Sequence, residues 1–193
     1  MIKNFKTMKK LLLVLLVAVF SLSQLLAQES TFKQGDKVLN LGIGLGSTLY
    51  TGSYYKAGIP PISASLEFGV KDGVLDKGSI GIGGYLGYSS HKWEYSNAWG
   101  WKYTNIIVGV RGVFHYPLVN KLDTYTGLLL GYDIASSKEY GTPYLGYNYS
   151  ASSGGVAYSW FVGGRYYFSD KFAGMLELGY GITYLNIGVA LKL

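Results

Sequence analysis

Residues 156–193 read VAYSWFVGGRYYFSDKFAGMLELGYGITYLNIGVALKL, and this stretch decides the fold. In its first run Val156, Tyr158, Trp160, Val162, Tyr166 and Phe168 share one parity. Ala157, Ser159, Phe161, Gly163, Arg165 and Tyr167 share the other. Successive side chains of a β-strand point to opposite faces, so this run is a ribbon with one apolar side. The next run sets Phe172, Leu176, Leu178 and Tyr180 against Ala173, Met175, Glu177 and Gly179. The last sets Leu185, Ile187, Val189, Leu191 and Leu193 against Asn186, Gly188, Ala190 and Lys192. In each, the apolar face is bulky and the opposite face small or polar. A water-soluble sheet would cover such a face with a second layer. No second layer is evident in the chain, which leaves lipid as the partner.

The N-terminus agrees with export. Lys3, Lys6, Lys9 and Lys10 precede the apolar run 11–20, and a small residue stands at Ala27, the pattern of a secretory signal peptide. Cleavage is expected between Ala27 and Gln28, leaving 28–193 as one domain. The apolar run is too short for the roughly 20 residues of a spanning helix. With no cysteine, neither a disulfide nor a lipid-modified N-terminus is available. The leader holds four of the 17 Lys and Arg and none of the 11 acids, so the mature chain carries 13 basic against 11 acidic residues, a net +2. The high pI therefore belongs to the leader and gives no reason to expect a nucleic-acid partner.

Five more alternating runs precede the opening stretch: 38–46, 62–70, 79–88, 103–116 and 123–134. With 156–168, 172–181 and 185–193 they make eight. The links at 71–78, 117–122 and 169–171 are short; the segments up to 61, 89–102 and 135–155 are long, polar and rich in Tyr, Trp, Ser and Gly. Pro117 is expected to end its strand, since proline cannot donate to a ladder. Residues 28–36 read as a polar lead-in. An eight-stranded antiparallel up-and-down transmembrane β-barrel explains the count and the alternation of short and long links: short turns face the periplasm and long loops the outside. Aromatics cluster at both strand ends, including Phe68, Phe114, Tyr166 and Phe168 at one and Tyr88, Tyr132, Tyr158 and Tyr180 at the other, as two interfacial belts would require.

The mature chain has two arginines, Arg111 and Arg165, both on the inward parity, as are Glu67 and Glu177. All four fall near the short-turn end, so they are expected to form a lumen ion-pair network that fills the barrel. With a tight 169–171 turn, Arg165 opposes Met175 and lies diagonal to Glu177. Tyr85, Tyr125, Tyr167, Phe161 and Leu129 point inward and help to close any passage. Glycines 42, 44 and 46, and 81, 83 and 84, do not precede a helix, so they lack the anion site of a phosphate loop. His91 and His115 fall at opposite ends of the barrel; no metal site, cofactor site or catalytic triad can be assembled, and His91 with Ser89, Ser90 or Glu94 lacks geometric support. The long segments present Tyr54, Tyr55, Trp93, Trp99, Trp101, Tyr144 and Tyr147, side chains suited to recognising a protein or glycan or to packing on lipopolysaccharide.

On GVRGVFHYPL (109–118), VGGRYYFSDKF (162–172), LELGYG (176–181) and LNIGVALKL (185–193), the chain resembles the small eight-stranded outer-membrane barrels, the group of OmpX and the OmpA membrane domain, and within it the "outer membrane protein β-barrel domain" family of Gram-negative, especially Bacteroidetes-type, bacteria. The resemblance implies the outer membrane as location. It also implies periplasmic chaperones and the barrel-assembly machinery as partners in biogenesis, and lipid and lipopolysaccharide as surroundings. Leu193 stands where such barrels usually end in an aromatic. No peptidoglycan-binding domain follows, which argues against wall anchoring. The expected role is structural or surface-interacting and not enzymatic. The alternatives are a narrow channel for small solutes or, more remotely, a lipid-modifying enzyme.

Overall fold

The computed structural model describes residues 30–49, 55–96, 99–141 and 149–193. It is all-β: β1 (Lys37–Ser47), β2 (Tyr55–Val74), β3 (Gly78–Ser96), β4 (Trp99–Val119), β5 (Leu122–Gly141), β6 (Ser150–Tyr167), β7 (Phe172–Tyr180) and β8 (Thr183–Lys192). Each strand pairs antiparallel with the next, and β8 returns to β1 through Val38↔Lys192 to Ser47↔Thr183. The result is a closed eight-stranded up-and-down barrel of the transmembrane kind that the alternation predicts.

Side-chain parity sorts the wall. Val110, Leu128, Leu130, Tyr158 and Tyr180 point outward and are at least 60% exposed, whereas Glu67, Arg111, His115, Asp123 and Arg165 point inward and are at most 4% exposed. This is the reverse of a soluble domain, in which charges almost never go fully inside. The inward apolar side chains form two clusters. Ile107, Tyr125, Leu129, Phe161 and Ile182 fill the middle of the barrel, and Phe32, Val38, Tyr167, Ala173 and Ala190 fill the end that carries the short turns.

The strands differ in height. β1, β7 and β8 have 11, 9 and 10 residues, whereas β2 to β6 have 18 to 21. Pairing of β6 with β7 begins at Trp160↔Tyr180, and that of β1 with β2 ends at Ile43↔Ile62. Five strands therefore run on together past the closed ring at its tall end. Pro60 and Pro61 sit where β2 loses its β1 partner, and proline blunts such an edge.

Three expectations are corrected here. Much of the polar segments expected to be loops is strand: 55–61, 89–96, 99–102 and 135–141 continue the ladders, and Tyr55, Trp93, Trp99 and Trp101 lie on β2, β3 and β4 instead of in loops. Outward apolar residues stop where lipid would stop, but backbone hydrogen bonds need no apolar side chains to continue. Pro117 does not end its strand. It pairs with Asp123 and β4 runs to Val119. The β3–β4 ladder stops at Ser79↔His115, so beyond it β4 has a side on which a missing N–H costs no ladder bond. The lead-in is not merely polar, because Phe32 is completely buried. The expected leader, 1–27, and Tyr54, Tyr144 and Tyr147 lie outside the described residues.

Candidate functional site: a charge cluster in the lumen

The cluster is built from alternate residues of seven strands near the short-turn end. Arg165 on β6 is its centre. Its Nε and Nη2 reach Asp123 Oδ2 on β5 at 2.8 and 2.6 Å, and its Nη1 donates to Asn40 Oδ1 on β1 at 3.2 Å and to Glu67 Oε2 on β2 at 3.4 Å. The guanidinium also lies 4.9 Å from the centre of the Tyr125 ring and 5.2 Å from that of Phe32. His115 on β4 bridges the same two acids, with Nδ1 at 2.8 Å from Asp123 Oδ1 and Nε2 at 2.5 Å from Glu67 Oε1. An imidazole can donate to two carboxylates at once only when both nitrogens carry protons.

A second pair stands beside the first. Arg111 on β4 donates from Nη2 to Glu177 Oε1 on β7 at 2.5 Å, and its guanidinium stacks 4.0 Å over the centre of the Phe161 ring. Glu177 also accepts from Tyr125 OH at 3.0 Å and, through Oε2, from Asn186 Nδ2 on β8 at 3.2 Å. Ser65 Oγ ties the halves together, accepting from Asn40 Nδ2 at 3.2 Å and from Arg111 Nη1 at 3.4 Å. Three carboxylates therefore face two guanidiniums and one imidazole, and a doubly protonated His115 makes the tally neutral.

Glycine makes the room. A Cβ on Gly81 would lie 2.5 Å from Glu67 Oε1, so this wall position must be bare for the glutamate to lie across the lumen. The cluster is capped at the turn end by Phe32, whose ring stacks on His115 with centroids 4.0 Å apart and whose carbonyl accepts from Ser79 Oγ at 2.9 Å. Lys192 Nζ holds the same segment through Asp36 at 2.7 Å and the Thr31 carbonyl at 3.1 Å. On the other side of the Arg111–Glu177 pair is a cavity of about 30 Å³, large enough for a water molecule and too small for a solute.

Parity placed Glu67, Arg111, Arg165 and Glu177 inward, and the structure brings all four into this one cluster. Their pairing differs in one respect. Arg165 opposes Met175 as the turn requires, yet its carboxylate partners are Asp123 and Glu67, while Glu177 belongs to Arg111. His115, Asp123, Asn40 and Phe32 were missed as members. His115 and Asp123 carried a usable signal, since both lie on inward parities beside one tight turn.

At the tall end, Tyr55, Trp93, Trp101 and Trp99 share the face that continues the lumen wall, through Tyr55↔Trp93 and Trp93↔Trp101. Trp93 meets Trp99 edge to face at 6.3 Å, Tyr55 meets Tyr103 at 5.9 Å, and Trp99 Nε1 donates to Glu139 Oε1.

No protein-family model matches the chain and no curated protein sequence matches it. Solved structures with a similar backbone include Ail, the attachment invasion locus protein of Yersinia pestis, at 14% identity over 82% of this chain and 95% of that one, with a TM-score of 0.46. The N-terminal β-barrel domain of Pseudomonas aeruginosa OprF is 12% identical over 83% and 98%, with a TM-score of 0.48. Neisserial surface protein A is 12% identical over 83% and 98%, with a TM-score of 0.46. Likenesses this distant carry no role across to this chain, and the fold stands on its own ladders and burial pattern.

Proposed function

We propose that the chain is an integral outer-membrane barrel, exported with residues 1–27 removed, that is closed to solutes and presents a tall aromatic sheet at the cell surface. The observation that carries this reading is the inverted wall: an exposed band of aliphatic and aromatic side chains outside and a buried charge cluster inside. Only lipid makes the outer face favourable, and only mutual pairing makes the inner one tolerable. The short turns then face the periplasm and the tall end faces outward. Closure has two parts. The charge cluster and the Tyr125–Phe161 layer fill the lumen, and Phe32 seals its periplasmic mouth. Eight strands leave room for little besides side chains.

The surface role rests on the side chains of the tall end, where Tyr55, Trp93, Trp99 and Trp101 lie together on a rigid sheet. Rigid aromatic side chains supply contact area at small entropic cost, which suits a protein or glycan partner. An enzymatic role has little support. His115 and its two acids form an acid–base relay in composition, but all three are at most 3% exposed and Phe32 covers the imidazole.

Heat-modifiable mobility on gels, N-terminal sequencing of the mature protein and protease shaving of intact cells test the placement. A folded, soluble periplasmic product would sink it. Planar-bilayer recording tests closure, with steady single-channel current in the wild type as the opposing result. Trp93→Ser with Trp101→Ser should abolish glycan-array or adhesion binding without changing heat-modifiability; unchanged binding would refute the surface role of this sheet.

A further inference from the structure

The tall end carries a second arrangement, on its outer face. Lys56, Lys92, Lys102 and Lys138 are direct cross-strand partners in succession: Lys56↔Lys92 between β2 and β3, Lys92↔Lys102 between β3 and β4, and Lys102↔Lys138 between β4 and β5. The β3–β4 and β4–β5 ladders run without a register shift from the row Tyr88–Ile106–Ile134 up to these lysines. Alternation therefore places Lys92, Lys102 and Lys138 on the same outward face as that apolar row. Lys56 joins them through its 2.7 Å ion pair with Glu94, the residue two beyond Lys92 on β3. All four lysines are exposed. Between the apolar row and the lysines stand the half-buried hydroxyl residues Thr104 and Ser136, direct partners on β4 and β5, with Ser90 of β3 buried beside them.

Like charges directly opposite one another weaken a sheet. Here four follow in line on strands about 4.8 Å apart. Among the described residues of that part of the face, Glu94 is the one acid, and Lys92 otherwise lies 5.5 Å from the centre of the Tyr140 ring. A face of four ammonium groups against one carboxylate is complementary to a polyanion. Its position says which kind. Lys92, Lys102 and Lys138 stand four residues beyond the row Tyr88–Ile106–Ile134, about 13 Å along the strand, and Lys56 stands three beyond the exposed Ile59 of β2. Because barrel strands tilt, the row climbs obliquely and does not lie in one plane, so its charges reach successive heights above the band. Apolar, hydroxyl and cationic rows follow one another outward, as acyl chain, ester or sugar, and phosphate do in a lipid.

We propose that this outward face, Lys56–Lys92–Lys102–Lys138 with the hydroxyls of Thr104 and Ser136 below it, is a docking surface for phosphate-bearing lipid headgroups of the outer leaflet. The proposal rests on the membrane reading given above.

The test uses the full barrel refolded into vesicles of phosphatidylcholine alone, or of phosphatidylcholine mixed with phosphatidylglycerol or with bisphosphorylated lipid A. Enrichment of the anionic lipid around the protein is read from spin-labelled lipid association. The wild type should enrich both anionic lipids, lipid A more strongly, and high salt should abolish the effect. Each of Lys92→Gln, Lys102→Gln and Lys138→Gln should lower the enrichment by up to about fivefold. Lys71→Gln and Lys77→Gln at the turn end should leave it unchanged. Heat-shifted mobility verifies that each variant is folded and inserted. Inserted variants with undiminished enrichment overturn the proposal. Capture of soluble heparin by the wild type, with no lipid enrichment, also overturns it and assigns the row to a soluble polyanion. A wild type that inserts into none of the vesicles defeats the membrane reading and this proposal together, a result distinct from an inserted barrel without lipid preference.

Discussion

Arg165→Met is the sharpest perturbation of the lumen. The replacement keeps an unbranched chain of similar reach and removes one charge that is completely buried. It deletes the contacts to Asp123 at 2.6 Å and to Glu67 at 3.4 Å, together with the hydrogen bond to Asn40. Asp123 and Glu67 remain, still buried, with His115 alone between them. The three carboxylates of the cluster then face one positive charge fewer, so a buried negative charge is left without its partner. Breaking a buried pair from one side costs about 3–5 kcal/mol. If that stranded charge is the cause, removing it should reverse most of the loss. Asp123→Asn added to Arg165→Met should return stability to within about 1–2 kcal/mol of the wild type, with a favourable coupling of about 2–3 kcal/mol between the two positions. Equilibrium urea unfolding in phosphatidylcholine vesicles, followed by tryptophan fluorescence and by gel mobility, measures each corner of the cycle. A loss below about 1 kcal/mol for Arg165→Met, or costs that simply add in the double variant, would refute the network as the reason these residues can be buried.

Three further outcomes follow from other parts of the barrel. Val110 is 60% exposed midway along the apolar band of β4, so Val110→Arg should destabilise the bilayer-inserted barrel by about 2–4 kcal/mol; a neutral effect in urea titrations would contradict a lipid-facing band. Phe32→Ala removes the ring stacked on His115 and should cost about 3–5 kcal/mol while opening the mouth at the short-turn end. Its checks are thermal unfolding and entry of a water-soluble quencher to the inward Phe161→Trp reporter, and unchanged quenching would refute the seal. At the tall end, the hydrogen bond from Lys56 and its charge hold the exposed Glu94 carboxyl below the usual carboxylate range. A lowered folded-state value means that the pair's contribution is present above the ordinary carboxylate range and is lost as pH falls through the lowered value. NMR titration of the Glu94 carboxyl should show that depressed midpoint, and Lys56→Gln should raise it; equal midpoints in the two proteins would dismiss the pair.

What could be read from the sequence, and what could not, divides along a physical line. Period-two alternation is a local property of a strand, and residues 156–193 display it three times, so strand identity and the facing of Arg165 and Glu177 were readable from order alone. Polarity is local too. The bulky side had no partner layer, which turned the ribbons outward and closed them into a barrel. The height of the strands was not readable this way, because the reading followed the lipid-facing side chains. Where Tyr88, Ile106 and Ile134 give way to Ser90, Thr104 and Ser136, the alternation loses its apolar half while the hydrogen-bond ladder runs on to Trp93↔Trp101.

The full set of charge partners across the lumen, with Asp123 and His115 among them, was also out of reach, and for a different reason. Parity says which residues enter the barrel, but the stagger accumulated around the ring decides which of them meet. A hairpin fixes only its own pair of strands, so the 169–171 turn could set Arg165 against Met175. It could not show that the guanidinium crosses to Asp123 on one neighbouring strand and to Glu67 four strands away. That stagger is closed by the β1–β8 ladder, where Gly42 faces Gly188 and a Cβ on Gly188 would strike the Leu41 carbonyl. A bare position at the seam lets the two strands meet in that register. The register in turn brings Asn40, Glu67, His115, Asp123 and Arg165 to one level of the lumen. The ion pairs inside the barrel are thus consequences of how its wall closes, and a change at the seam should reach them without touching any of them.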